Sequence, residues 1–208
     1  MAWRMILFTL AGYLSGGVMY SYYIPRLMTG GDVRTQNDDQ NPGAANAFRL
    51  CGPAVGVLCA MLDVLKAAAP VYAAIVWGGL SGWYLAPVAL SPVLGHAYPV
   101  TLGFRGGKAI ASMFGALLGL WPVSHVVLLL AGVVLLLLPV LRNHAMLMFT
   151  SVCVFAALTL LVEPLRFVRF VAGGVLVIVG SRHVREANAA LEAAKAQLAA
   201  WREGRKAV

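Results

Sequence analysis

A glycine-rich polar segment with two cations, "LGHAYPVTLGFRGGKAIASMFGAL" (residues 94–117), has the composition of an anion-binding loop. Gly106 and Gly107 lack a Cβ and so let a ligand approach the backbone closely, while Arg105 and Lys108 supply positive charge. A helix is predicted to begin directly after Lys108, and the N–H groups and dipole at a helix N-terminus favour phosphate. The alternative interpretation is a flexible loop whose basic residues anchor it to lipid headgroups.

A second polar segment, "GGDVRTQNDDQNPGAANAFRLCG", lies between two apolar runs nearer the N-terminus. Pro42 and Gly43 predict a turn. Asn41, Asn46 and Arg49 offer amide hydrogen bonds and a guanidinium fork suited to phosphate or carboxylate. Two such segments on one face could enclose a small anion, although a simple connecting loop is the alternative.

Three further residues could take part in such a site from inside apolar sequence. Asp63 and Lys66 lie three residues apart on a predicted helix, so they share a face and can pair. Charges within a membrane span usually face the bundle interior and serve a site, with a structural ion pair as the alternative. His96 lies beside the glycine-rich segment, where it is either a catalytic or a packed, hydrogen-bonded histidine.

The elements that must position these residues are membrane helices. Of the 208 residues, 61% are hydrophobic and 12% are charged, and the mean hydropathy is +0.81, which excludes an ordinary soluble domain. The net charge of +8 is explained by basic cytoplasmic loops and anionic lipids, so no nucleic-acid partner is inferred. The three cysteines show no ligand or disulfide spacing, and we expect no metal and no cofactor.

The sequence predicts an all-α, polytopic membrane protein with about seven transmembrane helices. The predicted spans are 5–28, 51–68, 70–90, 109–121, 123–141, 145–162 and 165–181. The distribution of Lys and Arg places the N-terminus outside and the C-terminus in the cytoplasm, with both polar segments on the cytoplasmic face. We expect one transmembrane domain over 1–182, followed by a cytoplasmic or surface-lying helix over 183–208 whose simplest role is to solubilise the terminus.

The ordered motifs "GDVR", "NPGAANAFR", "DVLKA" and "LGHAYPVTLGFRGGKAIAS" resemble those of the bacterial integral-membrane glycerol-3-phosphate acyltransferases of the PlsY type. The resemblance extends from about Gly12 to Gly115. It implies a seven-helix inner-membrane protein that transfers an acyl chain from acyl phosphate to glycerol 3-phosphate, with a cytoplasmic active site. The implied partners are these two substrates, the lipid bilayer and an acyl-phosphate-producing enzyme.

The resemblance also assigns residue roles. The glycine-rich family motif falls on Gly106, Gly107 and Lys108, and the essential arginine falls on Arg49. The catalytic candidates are therefore Asp39, Arg49, His96 and His183. The candidates for binding the substrate phosphate are Asn41, Asn46, Lys66, Arg105, Gly106, Gly107, Lys108 and Ser112.

Two departures from the family pattern bear on activity. Asp39 occupies the position of a functionally important serine, where a carboxylate could act as a base but would also repel phosphate. The family's third motif is blurred in "SRHVREANAALEAA", where His183 or Asn188 corresponds, but not both. These departures leave two alternatives: an acyltransferase with another donor or acceptor, and a protein that binds or transports a phosphate-bearing small molecule or lipid.

Overall fold

The computed structural model describes residues 1–35 and 41–183, and this part of the chain contains helices and no strand. The helices are, in chain order, α1 (Ala2–Gly17), α2 (Tyr20–Thr29), α3 (Ala44–Cys51), α4 (Pro53–Val76), α5 (Leu85–Ala97), α6 (Ile110–Gly119), α7 (Val126–Leu137), α8 (His144–Val162) and α9 (166–183). Short 3₁₀ turns, Gly82–Tyr84 and Val100–Leu102, flank α5. Asp39, Asn188 and, apart from its first residue, the helix predicted over 183–208 lie outside the described residues.

The surface of the bundle is suited to lipid. Within the described ranges, Pro53–Val76, Gly82–Leu102 and His144–Val162 are long and apolar enough to cross a bilayer, and α6 and α7 are shorter apolar helices. Large apolar side chains point outward along the helices, with Leu136 75%, Leu161 78% and Val177 70% exposed. A water-facing surface would not carry so many exposed aliphatic side chains. The predicted all-α membrane fold is confirmed.

The first predicted span, 5–28, is two helices rather than one. The backbone leaves the helical conformation at Val18, whose φ and ψ are −74° and 103°, between α1 and α2. The break follows Gly16 and Gly17, which have poor helix propensity. The Val18 carbonyl accepts a hydrogen bond from the Lys66 ammonium on α4, so the interruption places a polar backbone group against a buried cation.

The predicted boundary at Pro70, between the spans 51–68 and 70–90, is wrong. α4 continues through Pro70 to Val76, and the next membrane segment begins only at Gly82. Proline lacks the N–H that would bond the carbonyl four residues earlier, which belongs to Lys66. Ser15 Oγ on α1 donates to that carbonyl over 2.8 Å, so a neighbouring helix satisfies the group that the proline leaves open.

The helices that carry the site pack closely through glycines. A Cβ added to Gly16 on α1 would lie 2.2 Å from the Pro92 carbonyl oxygen on α5, and one added to Gly115 on α6 would lie 2.1 Å from the Val64 carbonyl oxygen on α4. These contacts bring backbones together where any side chain would force them apart. α1, α4, α5 and α6 therefore form a tightly packed core.

The two polar segments lie at the same end of this core. Ser21 Oγ on α2 lies 2.7 Å from the Pro42 carbonyl oxygen, and Thr101 Oγ1, just after α5, donates to the Gly17 carbonyl over 3.2 Å. Arg182 on α9 contacts the glycine-rich segment at this end. At the opposite end, Arg4 Nη1 donates to the Gly78 carbonyl over 3.1 Å. The end containing 41–52 and 98–109 is called the polar face here. Its assignment to the cytoplasm stays a prediction.

Candidate functional site

The first polar segment is organised by a buried asparagine. Asn46, on the first turns of α3, is 1% exposed. Its Nδ2 donates to the Asn41 carbonyl over 2.7 Å, and its Oδ1 accepts from Arg49 Nη1 over 3.3 Å. Asn46 thus fixes the turn at Pro42 and Gly43 and steers the exposed Arg49 side chain. An amide is suited to this role because it donates and accepts at once.

The second polar segment is folded back onto the end of α5. The Gly106 N–H donates to the Ala97 carbonyl over 3.3 Å, and the Gly107 N–H donates to the His96 carbonyl over 3.1 Å. A Cβ on Gly106 would lie 2.1 Å from the His96 carbonyl oxygen. The two glycines therefore permit a close backbone approach within the protein, and their N–H groups are occupied.

An anion at this segment would meet the start of α6 instead. The first-turn N–H groups of Ile110, Ala111 and Ser112 have no partner within the helix, by the geometry of any α-helix. Ala109, the N-cap, holds the left-handed conformation with φ +61°. Lys108 is half-buried directly before it, and Arg105 is exposed. The predicted helix N-terminus after Lys108 is confirmed, and it carries the positive end of the helix dipole.

Arg182 on α9 binds the backbone carbonyls of the glycine-rich segment. Its Nη2 donates to the Gly106 carbonyl over 2.5 Å and its Nε to the Gly107 carbonyl over 3.2 Å. Its guanidinium carbon lies 5.4 Å from the centre of the Tyr98 ring. The sequence alone does not single out Arg182 as a site residue. The one signal for it was its position beside His183.

A buried charge network lies beneath both segments. Lys66 Nζ lies 2.7 Å from Asp63 Oδ1, with side chains 3% and 2% exposed, which confirms the predicted pairing. His96 is 3% exposed, and its Nδ1 lies 4.0 Å from the same carboxylate oxygen. Ser112 Oγ is 3.4 Å from the Asp63 carbonyl. The structure thus brings Asp63 together with three residues that the sequence predicted as site candidates, Lys66, His96 and Ser112.

Ser21, which the sequence did not single out, completes this network. It is fully buried on α2, and its Oγ lies 2.7 Å from both Asp63 Oδ2 and the Pro42 carbonyl oxygen. The only sequence signal is a small polar residue inside an apolar run. Its partners are 21 and 42 residues away, which local patterns do not reveal.

His183 lies next to Arg182 and is the last described residue of α9. It is 3% exposed, its Nδ1 lies 2.8 Å from the Val179 carbonyl oxygen, and its Nε2 has no hydrogen-bond partner within the described residues. The Phe149 ring lies 6.2 Å away. The structure therefore places His183 next to a residue that contacts the glycine-rich segment.

A separate surface cluster stabilises the start of the first polar segment. Asp32 Oδ2 pairs with Arg34 Nη2 over 2.7 Å and accepts from the Tyr22 hydroxyl over 3.2 Å. The hydrogen bonds and charge of Arg34 lower the pKa of Asp32 from its usual 3.8 to about 2, and Asp32 in turn raises the pKa of Arg34. The "GDVR" residues thus form an ion pair packed on Tyr22.

Comparison with known proteins identifies the family. The family model described as glycerol-3-phosphate acyltransferase matches residues 6–193. The chain belongs to the glycerol-3-phosphate acyltransferase family. It is 42% identical over 121 residues to glycerol-3-phosphate acyltransferase 2 of Thermotoga maritima, covering 58% of this chain and 61% of that relative. It is 36% identical over 135 residues to a glycerol-3-phosphate acyltransferase of Shewanella baltica, covering 65% and 66%.

The fold of this family member is similar to two crystal structures of PlsY (YgiH), an integral membrane glycerol 3-phosphate acyltransferase. The glycerol 3-phosphate form gives a TM-score of 0.81 at 29% identity, covering 91% of this chain and 92% of that chain. The lysophosphatidic acid form gives 0.78 at 28% identity. The curated relatives match over a shorter region, since this chain spans about three fifths of the Thermotoga protein.

Proposed function

We propose that this protein transfers a fatty acyl chain from acyl phosphate to glycerol 3-phosphate, giving lysophosphatidic acid and phosphate. The observation that carries the proposal is that both polar segments are linked to one buried residue, Asp63, at the polar face of the bundle. The glycine-rich segment contacts Asp63 through Ser112, and the first segment is linked to it through Ser21, which contacts the Pro42 carbonyl. A structure similar over 91% of the chain is a glycerol 3-phosphate form. The site belongs at the cytoplasmic face of a bacterial inner membrane, where the product enters phospholipid synthesis.

The phosphate groups are bound by exposed or half-buried cations and by helix N–H groups. Arg49 supplies a guanidinium fork from α3, while Lys108 and Arg105 supply charge beside the first turn of α6. Asn41 and Asn46 shape the first segment, and Gly106 and Gly107 allow the second to fold against α5. Positive charge is needed to hold two phosphates together, because their mutual repulsion opposes binding.

Lys66 and Ser112, predicted as phosphate ligands, support the site from within the bundle in this proposal. Lys66 is bonded to Asp63 and to the Val18 carbonyl, and Ser112 to the Asp63 carbonyl. His96 is likewise enclosed, with Nδ1 toward Asp63 and its Nε2 edge against Gly107. We therefore assign the general base to Asp39, and on the same ground of burial we assign no proton-transfer step to His183.

The reaction needs positioning more than an enzyme-bound intermediate. Acyl phosphate is a mixed anhydride, so the glycerol hydroxyl oxygen attacks the acyl carbon directly while the base accepts the hydroxyl proton. The acyl C–O bond to phosphate then breaks, and phosphate leaves with the bonding electron pair. Nearby cations stabilise the charge that develops on the acyl oxygen and on the leaving group.

The experiment is phosphate release by the protein in nanodiscs supplied with palmitoyl phosphate and glycerol 3-phosphate. We expect turnover that depends on glycerol 3-phosphate and that falls at least about 100-fold in Lys108→Ala and Arg49→Ala. Lys195→Ala, in the C-terminal tail, serves as a charge-matched control. No release above the Lys108→Ala level, under conditions in which a relative from this family is active, would contradict the proposal. Phosphate release should stop when acyl phosphate is omitted, which tests the acyl donor. Replacing added acyl phosphate by an acyl-phosphate-producing enzyme and its substrates should restore it, which tests that partner.

The replacement of the family serine by Asp39 favours one other function, binding of a phosphate-bearing small molecule or lipid without acyl transfer. In that case the parent protein binds glycerol 3-phosphate but releases no phosphate, and Asp39→Ser creates activity. If Asp39 is the base, Asp39→Asn abolishes an existing activity and leaves binding intact. The two variants therefore separate the functions.

A further inference from the structure

Asp63 is linked to both proposed phosphate-binding segments, to the first through Ser21 and to the second through Ser112. Its side chain is 2% exposed, and its two oxygens face different neighbours, Lys66 Nζ at 2.7 Å and Ser21 Oγ at 2.7 Å. Neutralising the carboxylate requires only Lys66. The additional contacts with Ser21 and His96 connect it to other elements.

One connection leads to the first polar segment. Ser21 Oγ lies within 2.7 Å of both Asp63 Oδ2 and the Pro42 carbonyl oxygen, and all three groups are buried. The hydroxyl has one proton, which it donates to one of these acceptors at a time, and its oxygen lies between the two and keeps them at a fixed separation. Pro42 is followed by Gly43, the N-cap of α3. The position of Asp63 is thereby transmitted to the helix that carries Arg49.

The other connection leads to the glycine-rich segment. His96 presents Nδ1 to Asp63 at 4.0 Å, and a Cβ added to Gly107 would lie 2.5 Å from His96 Nε2. Ser112 Oγ lies 3.4 Å from the Asp63 carbonyl. These contacts lie before and after Lys108 in the sequence, so Asp63 supports both flanks of that residue.

From this geometry we infer that Asp63 and Ser21 are positioning residues that set the spacing between the Arg49 segment and the Lys108 segment without touching substrate. The inference rests on the proposed function. Binding of two phosphate-bearing substrates depends on the relative placement of the groups that hold them, so a change in that spacing weakens substrate binding and raises KM. A role confined to helix packing would leave that spacing unchanged.

Ser21→Ala is the sharpest variant, because it removes the bridging hydroxyl and leaves the Asp63–Lys66 pair intact. We expect the KM for glycerol 3-phosphate to rise at least about fivefold, since a spacing error acts on substrate placement. A loss of folded protein would lower kcat and leave KM unchanged. Ser91→Ala is the matched control, because Ser91 is also buried and its hydroxyl donates to the Val88 carbonyl within α5. A KM within twofold of the parent would overturn the inference.

Asp63→Asn combined with Lys66→Met tests the carboxylate itself without leaving a buried cation unpaired. The same rise in KM is expected. If this double variant does not fold, Ser21→Ala still decides the question, because the ion pair remains.

A distance measurement tests the inference without relying on turnover. Spin labels at Ala45→Cys on α3 and Phe104→Cys in the glycine-rich segment, both exposed positions, report the spacing in a chain without its native cysteines. We expect Ser21→Ala, but not Ser91→Ala, to broaden or shift this distance distribution. A shifted distribution in a protein without acyl transfer would overturn the proposed reaction and keep the positioning role. Normal turnover with an unchanged distribution and KM would overturn the positioning role alone.

Discussion

Ser15 Oγ on α1 donates a hydrogen bond over 2.8 Å to the Lys66 carbonyl on α4. This is the carbonyl that Pro70 leaves without an intrahelical donor. In a membrane no water is available to satisfy it, so a side chain from another helix takes that place. In α5 the equivalent carbonyl is satisfied from within the same helix: Ser91 Oγ donates over 2.9 Å to the Val88 carbonyl, four residues before Pro92.

The first prediction concerns this contact. Ser15→Ala is expected to lower the free energy of unfolding by about 1–3 kcal/mol, because it leaves a carbonyl within the bundle without a donor. Pro70→Ala restores the backbone N–H, so Ser15→Ala should cost less in that background. The free energy of unfolding in mixed micelles is measured for the parent, both single variants and the double variant, with the exposed Ser81→Ala as control. If Ser15→Ala lowers the free energy of unfolding equally in the parent and in Pro70→Ala, Ser15 does not act through this carbonyl.

The second prediction concerns Arg182. Arg182→Gln removes the cation that binds the Gly106 and Gly107 carbonyls, and we expect kcat/KM for glycerol 3-phosphate to fall at least about tenfold. Arg182→Lys should retain an intermediate activity, because an ammonium cannot reproduce the two-point contact of a guanidinium. Arg169→Gln is a matched control, since Arg169 Nε also donates to a backbone carbonyl, that of Glu163, at the opposite end. Equal losses in both glutamine variants would contradict a specific role for Arg182.

The third prediction concerns the backbone at Ala109. Its φ of +61° places a side chain in the left-handed region, which costs a residue other than glycine roughly 1–2 kcal/mol. Ala109→Gly should therefore raise the free energy of unfolding by up to about 1 kcal/mol, after the greater flexibility of glycine in the unfolded chain is included. Phe104→Gly, at φ 62°, is a comparison at an exposed position in the same segment. A destabilised Ala109→Gly protein would contradict this account.

The fourth prediction concerns pH. Because Arg34 lowers the pKa of Asp32 to about 2 in the folded protein, the ion pair stabilises the fold fully above the unfolded-state pKa near 3.8. This stabilisation is lost as the pH falls toward 2. The Tm difference between the parent protein and Asp32→Asn should therefore be constant above about pH 5 and shrink below pH 4. Thermal unfolding in detergent at several pH values measures it, and a difference that grows on acidification would be the opposite result.

The local parts of the site were accessible from sequence. The pairing of Asp63 with Lys66, three residues apart on one helix, and the start of α6 after Lys108 follow from spacing and composition. Ser21 and Arg182 could not be found from the sequence, because their contacts join residues that are 42 and 76 positions apart. A serine in an apolar run and an arginine after one are also common and indicate no particular role. Only packing brings such partners together.

The errors in helix boundaries have the same origin. Proline predicts a helix end because it leaves the carbonyl four residues earlier without a donor. At Pro70 the helix continues, because Ser15 donates a hydrogen bond to that carbonyl. The sequence does not indicate the interruption at Val18, because apolar residues continue across it. The Val18 carbonyl, which lies at the break between the two helices, is stabilised by a hydrogen bond from Lys66. In both places a tertiary hydrogen bond overrides the local preference of the chain.

The contact between Arg182 and the glycine-rich segment has a consequence for biosynthesis. The chain is made from its N-terminus, so the segment that contains Gly106 and Gly107 leaves the ribosome well before α9. Until α9 is made, the two carbonyls lack the guanidinium that binds them. A nascent chain, or one truncated before α9, therefore lacks this contact with its binding segment, and among the described helices the last to be synthesised is the one that completes the site.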